Sequence, residues 1–436
     1  MRKPRQPSRK WIVILICLAA AIGLYYLPPL HSRLAWRLDE LWNSVRLRFS
    51  PPDEAVFVPE QAPDLVATTT FLPTLTPLPT EPAITPIPAS LRLPGVIYVD
   101  QHNRWNYCGP ANLTMALEYW GWRGQPGDTM DPRDQIAFVV RPGRNDPSVD
   151  FIQRGRTDLN VMPEELADFT DEHTEFRALW RHGGDIDLLK RMVAAGFPLI
   201  VEKGYVAHDT TGNLSWMGHY EFVTGYDEGT LLVQDAYDFG PDYSIANDEF
   251  ANGWRAFNYL FLLVYPPDRE QEVYALLGPW AEAAAAEQIA LQRAIQDTQS
   301  LTGLDLYFAW FDVGTSQVRL GFYAEAAGSY DRAFQLYAAL GDEISFRPYR
   351  MLWYQSGPYE AYFQAGRFQD VIDLATNTLS TPLTGPTLEE SLYWRALAER
   401  ALGNYDDAYA DMRQVIYLNP GFRLGLEKMQ EWGLTP

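Results

Sequence analysis

The sequence predicts an α+β domain followed by an all-α helical-repeat domain, behind a single N-terminal transmembrane helix. In the α+β domain a helix bearing a cysteine is expected to pack on an antiparallel sheet bearing a histidine and an aspartate. Three observations lead there. Trp11 to Leu27 is a run of 17 residues without a charged side chain, strand and helix periodicities interleave from Gly95 to Pro266, and three similar helical blocks follow. The boundaries read as a basic segment 1–10, a membrane segment 11–30, a juxtamembrane segment and Pro/Thr-rich linker 31–94, the α+β domain 95–266 and the repeats 267–436.

The first ten residues carry five positive charges and no negative one. Basic residues ahead of an apolar run keep an N-terminus in the cytoplasm, so a signal-anchor would place the rest of the chain outside, at the cell membrane. Ala19-Ala20-Ala21 leaves a cleaved signal peptide open as the alternative. Cys17 lies inside the run and reads as a small apolar residue of the membrane helix. His31 to Phe49 has the pattern of an amphipathic juxtamembrane helix. Residues 51–94 then hold 11 of the chain's 32 prolines, which favours an extended spacer without a core.

Charge narrows the function classes. The chain has 436 residues with 35 Lys and Arg against 56 Asp and Glu, a net charge of -21. The first 50 residues hold 9 basic and 2 acidic side chains, so the body beyond them carries -28. Phosphate binding needs clustered Lys and Arg, so nucleic acid is excluded as a partner, while cationic peptides would be drawn in. Two cysteines exclude a disulfide scaffold. No cofactor or metal is expected either, because one cysteine outside the apolar run and scattered histidines give no ligand spacing.

In the middle region Val96 to Gln101 reads as a strand. After it, Cys108-Gly109-Pro110 opens a segment with Leu113, Ala116, Leu117 and Trp120 at helical spacing. Proline is tolerated in a first helical turn, so Cys108 falls at or just before a helix N-terminus. There the partial positive charge of the helix favours thiolate over thiol. Gln101, seven residues earlier, could turn its amide toward the sulfur. Downstream, Asp185 to Ala195 reads as a helix and Leu199 to Glu202 as a buried strand. His219 opens a second strand and Asp235 lies near the end of a third. A turn at Asp227-Glu228-Gly229 would bring His219 and Asp235 side by side. An imidazole beside a thiolate, itself oriented by a carboxylate, is what nucleophilic acyl transfer needs.

Rival residues are weaker on sequence grounds. His31 is juxtamembrane, His102 is too near Cys108, and His173 and His182 sit in charged segments expected to be exposed. His208 rivals His219 but lies among Asp209, Thr210, Thr211 and Gly212, a loop composition. Asp238 is the alternative to Asp235, and Asp227 reads as a turn residue.

Gln101, Cys108-Gly109-Pro110 opening a helix, Gly218-His219 before an apolar strand, Gly225-Tyr226-Asp227 and Asp235 together resemble the papain-like cysteine peptidases. The nearest branch is that of the bacteriocin-processing, double-glycine leader peptidases. The resemblance spans about residues 95–266. It implies Cys108 as nucleophile, His219 as general base then acid, and Asp235 as orienter of the imidazole. Gln101 and the Cys108 backbone N–H would form the oxyanion hole. No G-x-x-x-x-G-K-[ST] loop occurs, so export coupling and double-glycine specificity are not implied. The expected substrate is a peptide or protein. A cell-wall peptide amidase or transferase using the same residues, and a catalytically silent peptide-binding scaffold, remain the alternatives.

Ala281 to Gln296 is rich in good helix formers. Three blocks follow, centred on Gly328-Ser329-Tyr330, Gly366-Arg367-Phe368 and Gly403-Asn404-Tyr405, spaced 38 and 37 residues apart. The reading places each glycine at the turn of a helix pair, with a small or β-branched residue three after the aromatic: Ala333, Val371, Ala408. The pattern resembles tetratricopeptide repeats and implies a concave surface for a protein partner.

Overall fold

A computed structural model describes residues 57–59, 87–102, 107–142, 161–208, 214–340, 347–380 and 388–435. The expected membrane segment 11–30, with Cys17, and the juxtamembrane helix lie outside the described residues, as does most of the linker. Among the described residues no helix is long and apolar enough to cross a membrane. The chain divides into two compact units, one of Met1–Pro51 with His208–Asn213, the other of Pro52–Ala207 with Leu214–Pro436. Apart from the backbone of His208, everything below belongs to the second.

Its centre is a sheet of seven strands: β1 Leu91–Arg92, β2 Arg177–Arg181, β3 Leu199–His208, β4 Leu214–Tyr226, β5 Thr230–Asp235, β6 Gly240–Ala246 and β7 Phe261–Tyr265. Their order is β2-β7-β3-β4-β5-β6, with the short β1 also paired to β4. The pairs β2/β7, β3/β7, β4/β5, β5/β6 and β1/β4 are antiparallel. Successive strand residues point to opposite faces, and here both faces are apolar. Ile200, Tyr220, Phe222, Leu262 and Val264 face a layer built by α1 Cys108–Tyr119, α2 Pro132–Val140 and α3 Pro163–His173. Val201, Val223, Val233, Phe261 and Leu263 face the other layer, with α4 Ile186–Ala194 and α5 Asn247–Arg255. A sheet covered on both sides explains why its strands read as nearly continuous apolar runs. The α+β expectation of a cysteine-bearing helix on a sheet carrying His219 and Asp235 is met.

Local expectations need two corrections in this region. Val96 to Gln101 is not a strand. Pro94 and Gly95, the latter at φ +78°, break the chain after β1, and the segment instead rests its side chains on the two cores. Its Gln101 N–H still donates to the Ala236 carbonyl at 2.9 Å. His219 does not open its strand either. β4 begins at Leu214, because Trp216 buries against the C-terminal helices and extends the sheet by five residues. The expected helix after Asp185 does form, with the Asp185 carboxylate accepting from Leu188 N–H at 2.6 Å as its N-cap.

After β7 the described chain is helical: α6 Glu270–Leu277, α7 Ala283–Ser300, α8 Gly303–Arg319, α9 Tyr323–Ala338, α10 Met351–Tyr354, α11 Gly357–Gln364, α12 Phe368–Leu379, α13 Glu389–Ala401, α14 Tyr405–Leu418 and α15 Arg423–Glu431. Val273 and Leu277 of α6 and Ala286 of α7 pack into the sheet's own core.

Gly328 lies inside α9 and is not a turn. The turn of that helix pair is at Gly321, which with Gly366 and Gly403 has φ of +80°, +74° and +88°. The three turns share one hydrogen-bond pattern. The glycine N–H reaches back to Val318, Phe363 or Arg400 at 2.9–3.0 Å, and the next N–H reaches Gln317, Tyr362 or Glu399 at 2.8–2.9 Å. This left-handed cap needs a residue without Cβ strain, which is why glycine recurs. An aromatic follows two residues after each glycine (Tyr323, Phe368, Tyr405), and three further on Ala326, Val371 and Ala408 are all fully buried. The first of the three turns thus lies seven residues ahead of the expected Gly328.

Candidate active site

Cys108 is the first residue of α1, whose N-cap, Tyr107, supplies no side-chain hydrogen bond to the helix. Every residue from Gly109 to Leu117 is buried, so the helix is fixed on all sides and its N-terminal N–H groups keep one aim. Gly109 sits so close to the sheet that a Cβ there would lie 3.3 Å from Val161 and 3.6 Å from Tyr220. Cys108 as a residue is half-buried. Burial pushes the Cys108 thiol up. The His219 hydrogen bond and charge, with the N–H groups of Tyr220 and Gly109, outweigh that and hold it below its ordinary 9.0.

The hairpin β4–β5 supplies the other two groups. Asp227 Oδ1 accepts from the N–H of Gly229 and Thr230, both at 3.0 Å, so Asp227 is the turn residue that the sequence suggested. The register runs from Tyr226↔Leu231 to Phe222↔Gln234, with an irregularity at Val223/Gly225, and β5 is irregular against β6 at Val233/Asp235. His219 Nε2 lies 3.0 Å from Asp235 Oδ1, both groups being buried. The same carboxylate oxygen accepts from Tyr237 N–H at 2.8 Å and Asp238 N–H at 3.1 Å. Burial works against the Asp235 carboxylate, but His219 and these two amides hold its pKa at about 2. Burial likewise opposes a charged His219, and Asp235 and Cys108 together raise it well above 6.5. With Nε2 committed to Asp235, Nδ1 is the nitrogen left for the sulfur.

The surroundings keep this pair isolated. Glu202 on β3 is buried, and its Oε1 has no hydrogen-bond partner among the described residues. Burial first, then the nearby sulfur, raises its carboxyl far above the usual range, so it stays neutral beside Cys108. The Tyr205 ring stands 5.5 Å from the imidazole. Beneath it Lys203 and Glu221 form a buried ion pair at 2.8 Å.

Gln101 is 7% exposed, with Oε1 unpartnered among the described residues. Its backbone bond to Ala236 sets it on the segment beside Asp235, where the Tyr98 hydroxyl also donates to the Asp235 carbonyl at 2.9 Å. Asp238 donates its amide to Asp235, and the carboxylate bonded to the imidazole is that of Asp235. Among the other histidines, His173 is exposed and His102 pairs with Asp100. The side chain of His208 lies outside the described residues. His182 corrects the expectation of exposure: it is 6% exposed and bonded to Glu287 of α7 at 2.7 Å, a partner too distant in sequence to be read from local charge.

Sequence reasoning missed Asn112. It is fully buried, and its Nδ2 donates to the Cys108 carbonyl at 2.8 Å and to the Tyr220 carbonyl at 2.9 Å. One amide thus ties the first turn of α1 to the residue after His219. The signal was present: a lone amide on the face of a helix otherwise apolar. Among the described residues, no cluster of three or more His, Cys, Asp or Glu is placed to hold a metal ion.

Comparison with known proteins gives the same region a family likeness. Residues 94–261 match the Peptidase_C39 like family. That stretch runs from the approach to α1 through the first residue of β7 and contains every site residue above. Among solved structures, the chain is similar to one from Bacillus anthracis described as an inferred C39-like peptidase, with 16% identity, a TM-score of 0.30, and coverage of 40% of this chain and 97% of that one. A likeness of that degree adds nothing to the functional argument. No curated protein matches the chain.

Proposed function

We propose that this chain is a membrane-anchored, extracytoplasmic cysteine peptidase that cleaves peptide bonds through Cys108, His219 and Asp235. The observation that carries the reading is a buried imidazole 3.0 Å from a buried carboxylate, beside a helix-terminal thiol whose pKa that imidazole lowers. The match of residues 94–261 to a peptidase family supports it. In the reaction, the Cys108 thiolate attacks the substrate carbonyl carbon. The charge that develops on oxygen is received by the Cys108 N–H, which as a first-turn amide has no partner within the helix, and by the Gln101 side-chain amide. Imidazolium delivers its proton to the leaving amine, the C–N bond breaks, and a thioester remains. Water then gives one proton to His219 as its oxygen attacks the thioester, the C–S bond breaks to release a carboxylic acid that ionises into solvent, and the thiolate–imidazolium pair is restored. Asp235 stays ionised throughout and holds the ring's orientation.

The basic segment 1–10 and the uncharged run that follows support the anchor and an extracytoplasmic placement. The three matched glycine turns support a tetratricopeptide-like module over 267–436, following a peptidase domain over 95–266. The test is hydrolysis of a peptide library by the full chain. Cys108→Ala and His219→Ala are each expected to lower turnover at least ~10³-fold with unchanged circular dichroism. Turnover that survives Cys108→Ala would overturn the reading.

A further inference from the structure

The stretch of β4 just ahead of His219 is held by side chains from the C-terminal helices. Arg350 Nη1 donates to the Trp216 carbonyl at 3.0 Å in a buried position. The Trp216 ring lies 6.0 Å from the Tyr354 ring, edge to face, and 6.0 Å from Phe257, stacked. A Cβ on Gly218 would come within 2.6 Å of Phe257 Cζ and 3.1 Å of Tyr354 Cε1. Tyr354 Cζ, which bears the hydroxyl, would lie 3.1 Å from the same Cβ, so the hydroxyl end of the ring stands against the Gly218 main chain, and burial raises its pKa. The next residue, Gln355, donates to the Ala256 carbonyl at 3.0 Å. One short helix and its flanks therefore grip main-chain atoms at 216, 218 and 256, the first two within three residues of the imidazole.

Gly218 can make this approach only because it lacks a side chain, since a Cβ there would meet Phe257 first and the Tyr354 ring next. Tyr354 is itself nearly buried, so it offers no surface to a substrate and acts through the strand.

We propose that Tyr354 is a positioning residue for His219, and that the C-terminal helices are a structural half of the active site as well as a surface for a partner. The proposal rests on the peptidase reading and extends it: the helical region sets the Cys108–His219 pair through the main chain of Gly218. Removing the hydroxyl frees the backbone next to His219, lengthens the sulfur–imidazole contact and returns the thiol toward its ordinary behaviour.

The test is the pH dependence of Cys108 alkylation by iodoacetamide in the full chain, with the modified peptide resolved by mass spectrometry so that Cys17 does not contribute. Tyr354→Phe keeps the ring and the packing. It is expected to move the acid limb up by about one pH unit, so that labelling near pH 6 slows about tenfold while labelling in alkaline solution is unchanged. Peptide turnover should fall by a similar factor in kcat with little change in KM. Arg350→Gln, which releases the Trp216 carbonyl, should move the limb in the same direction. Tyr359→Phe is the comparison, since it removes another buried hydroxyl, bonded to Thr378 at 2.9 Å and Ser391 at 3.0 Å, that touches nothing near Gly218. It should leave the profile in place. A Tyr354→Phe profile that superimposes on wild type overturns the positioning role alone. A wild-type profile with only an ordinary thiol transition overturns the peptidase reading beneath it.

Discussion

At the residue scale three groups, Cys108, His219 and Asp235, share two protons. Asp235 is fixed by three donors and remains an anion, so the proton between it and His219 stays on the ring. The ring's other nitrogen then faces a sulfur that is already favoured as an anion by two backbone amides. A bell-shaped pH dependence of kcat/KM follows. Its acid limb should lie below the ordinary thiol range, because Cys108 must lose its proton, and its alkaline limb above the ordinary imidazole range, because His219 must keep its own. Asp235 also carries a stability prediction. Its folded pKa of about 2 lies under the ordinary 3.8, so its contribution is fully present above pH 3.8 and is lost as pH falls through 2. That contribution is about 2 kcal/mol. Urea titrations should show wild type losing this in that window and Asp235→Asn showing no such loss. Asn112→Ala should cost about 1–3 kcal/mol, since two buried carbonyls lose their donor, and should lower kcat because the Cys108 turn is no longer tied to β4. Cys108, His219 and Asp235 were legible as candidates because of local markers: Gly-Pro after the cysteine, and a turn of known type between the two strands. Asn112 had a weaker marker, and Tyr354 had none, since its contact spans residues 218 and 354 and no local pattern encodes it.

At the element scale, the sheet and its two helix layers followed from period and composition, while the ends of elements did not. β4 runs further than its apolar alternation because Trp216 meets the helical region. Val96 to Gln101 alternates like a strand but finds no ladder, since β4 is already paired through β1 and β5 where β1 ends. The repeats show the same limit. Gly321 and Gly328 both precede an aromatic two residues on, and sequence spacing favoured the wrong one. Only the left-handed backbone and the paired hydrogen bonds to Gln317 and Val318 distinguish them. Gly403→Ala places a Cβ in that left-handed cap and should cost about 1 kcal/mol. Gly328→Ala, in the interior of α9 with nothing within 4 Å of the new Cβ, should be stabilising by a few tenths to about 1 kcal/mol. Thermal denaturation of the two variants separates them by sign.

At the scale of the whole molecule, the helices are joined to the sheet by charge as well as by packing. Arg141, at the end of α2, has no exposed side-chain surface and meets Glu165 of α3 at 2.9 Å and Glu390 of α13 at 2.9 Å, with Glu389 closer still. Burial raises Glu165 to about 8 and Glu390 to about 7, with Arg141 opposing the rise in each. One cation therefore serves a group of buried acids drawn from both halves. Replacing it by Met would leave them uncompensated and should cost about 3–5 kcal/mol above pH 8, where they are ionised. The loss should shrink as pH falls through 8 and 7, where the carboxyls are protonated and need no counter-charge. Chemical denaturation of Arg141→Met at two pH values measures this directly. This joint could not be read in the sequence, because 248 residues separate Arg141 from Glu389. It also makes the helical region less separable from the sheet than its repeat-like pattern suggests.

The claim beneath all of this is that Cys108 is ionised at a pH where a free cysteine is not. Ultraviolet absorbance of the thiolate, titrated in the full chain against Cys108→Ser, measures it without any substrate. The expected difference spectrum persists below the ordinary thiol transition near pH ~8.5 and disappears in His219→Ala. A difference spectrum that appears only on passing that transition, and is indifferent to His219, would contradict the account.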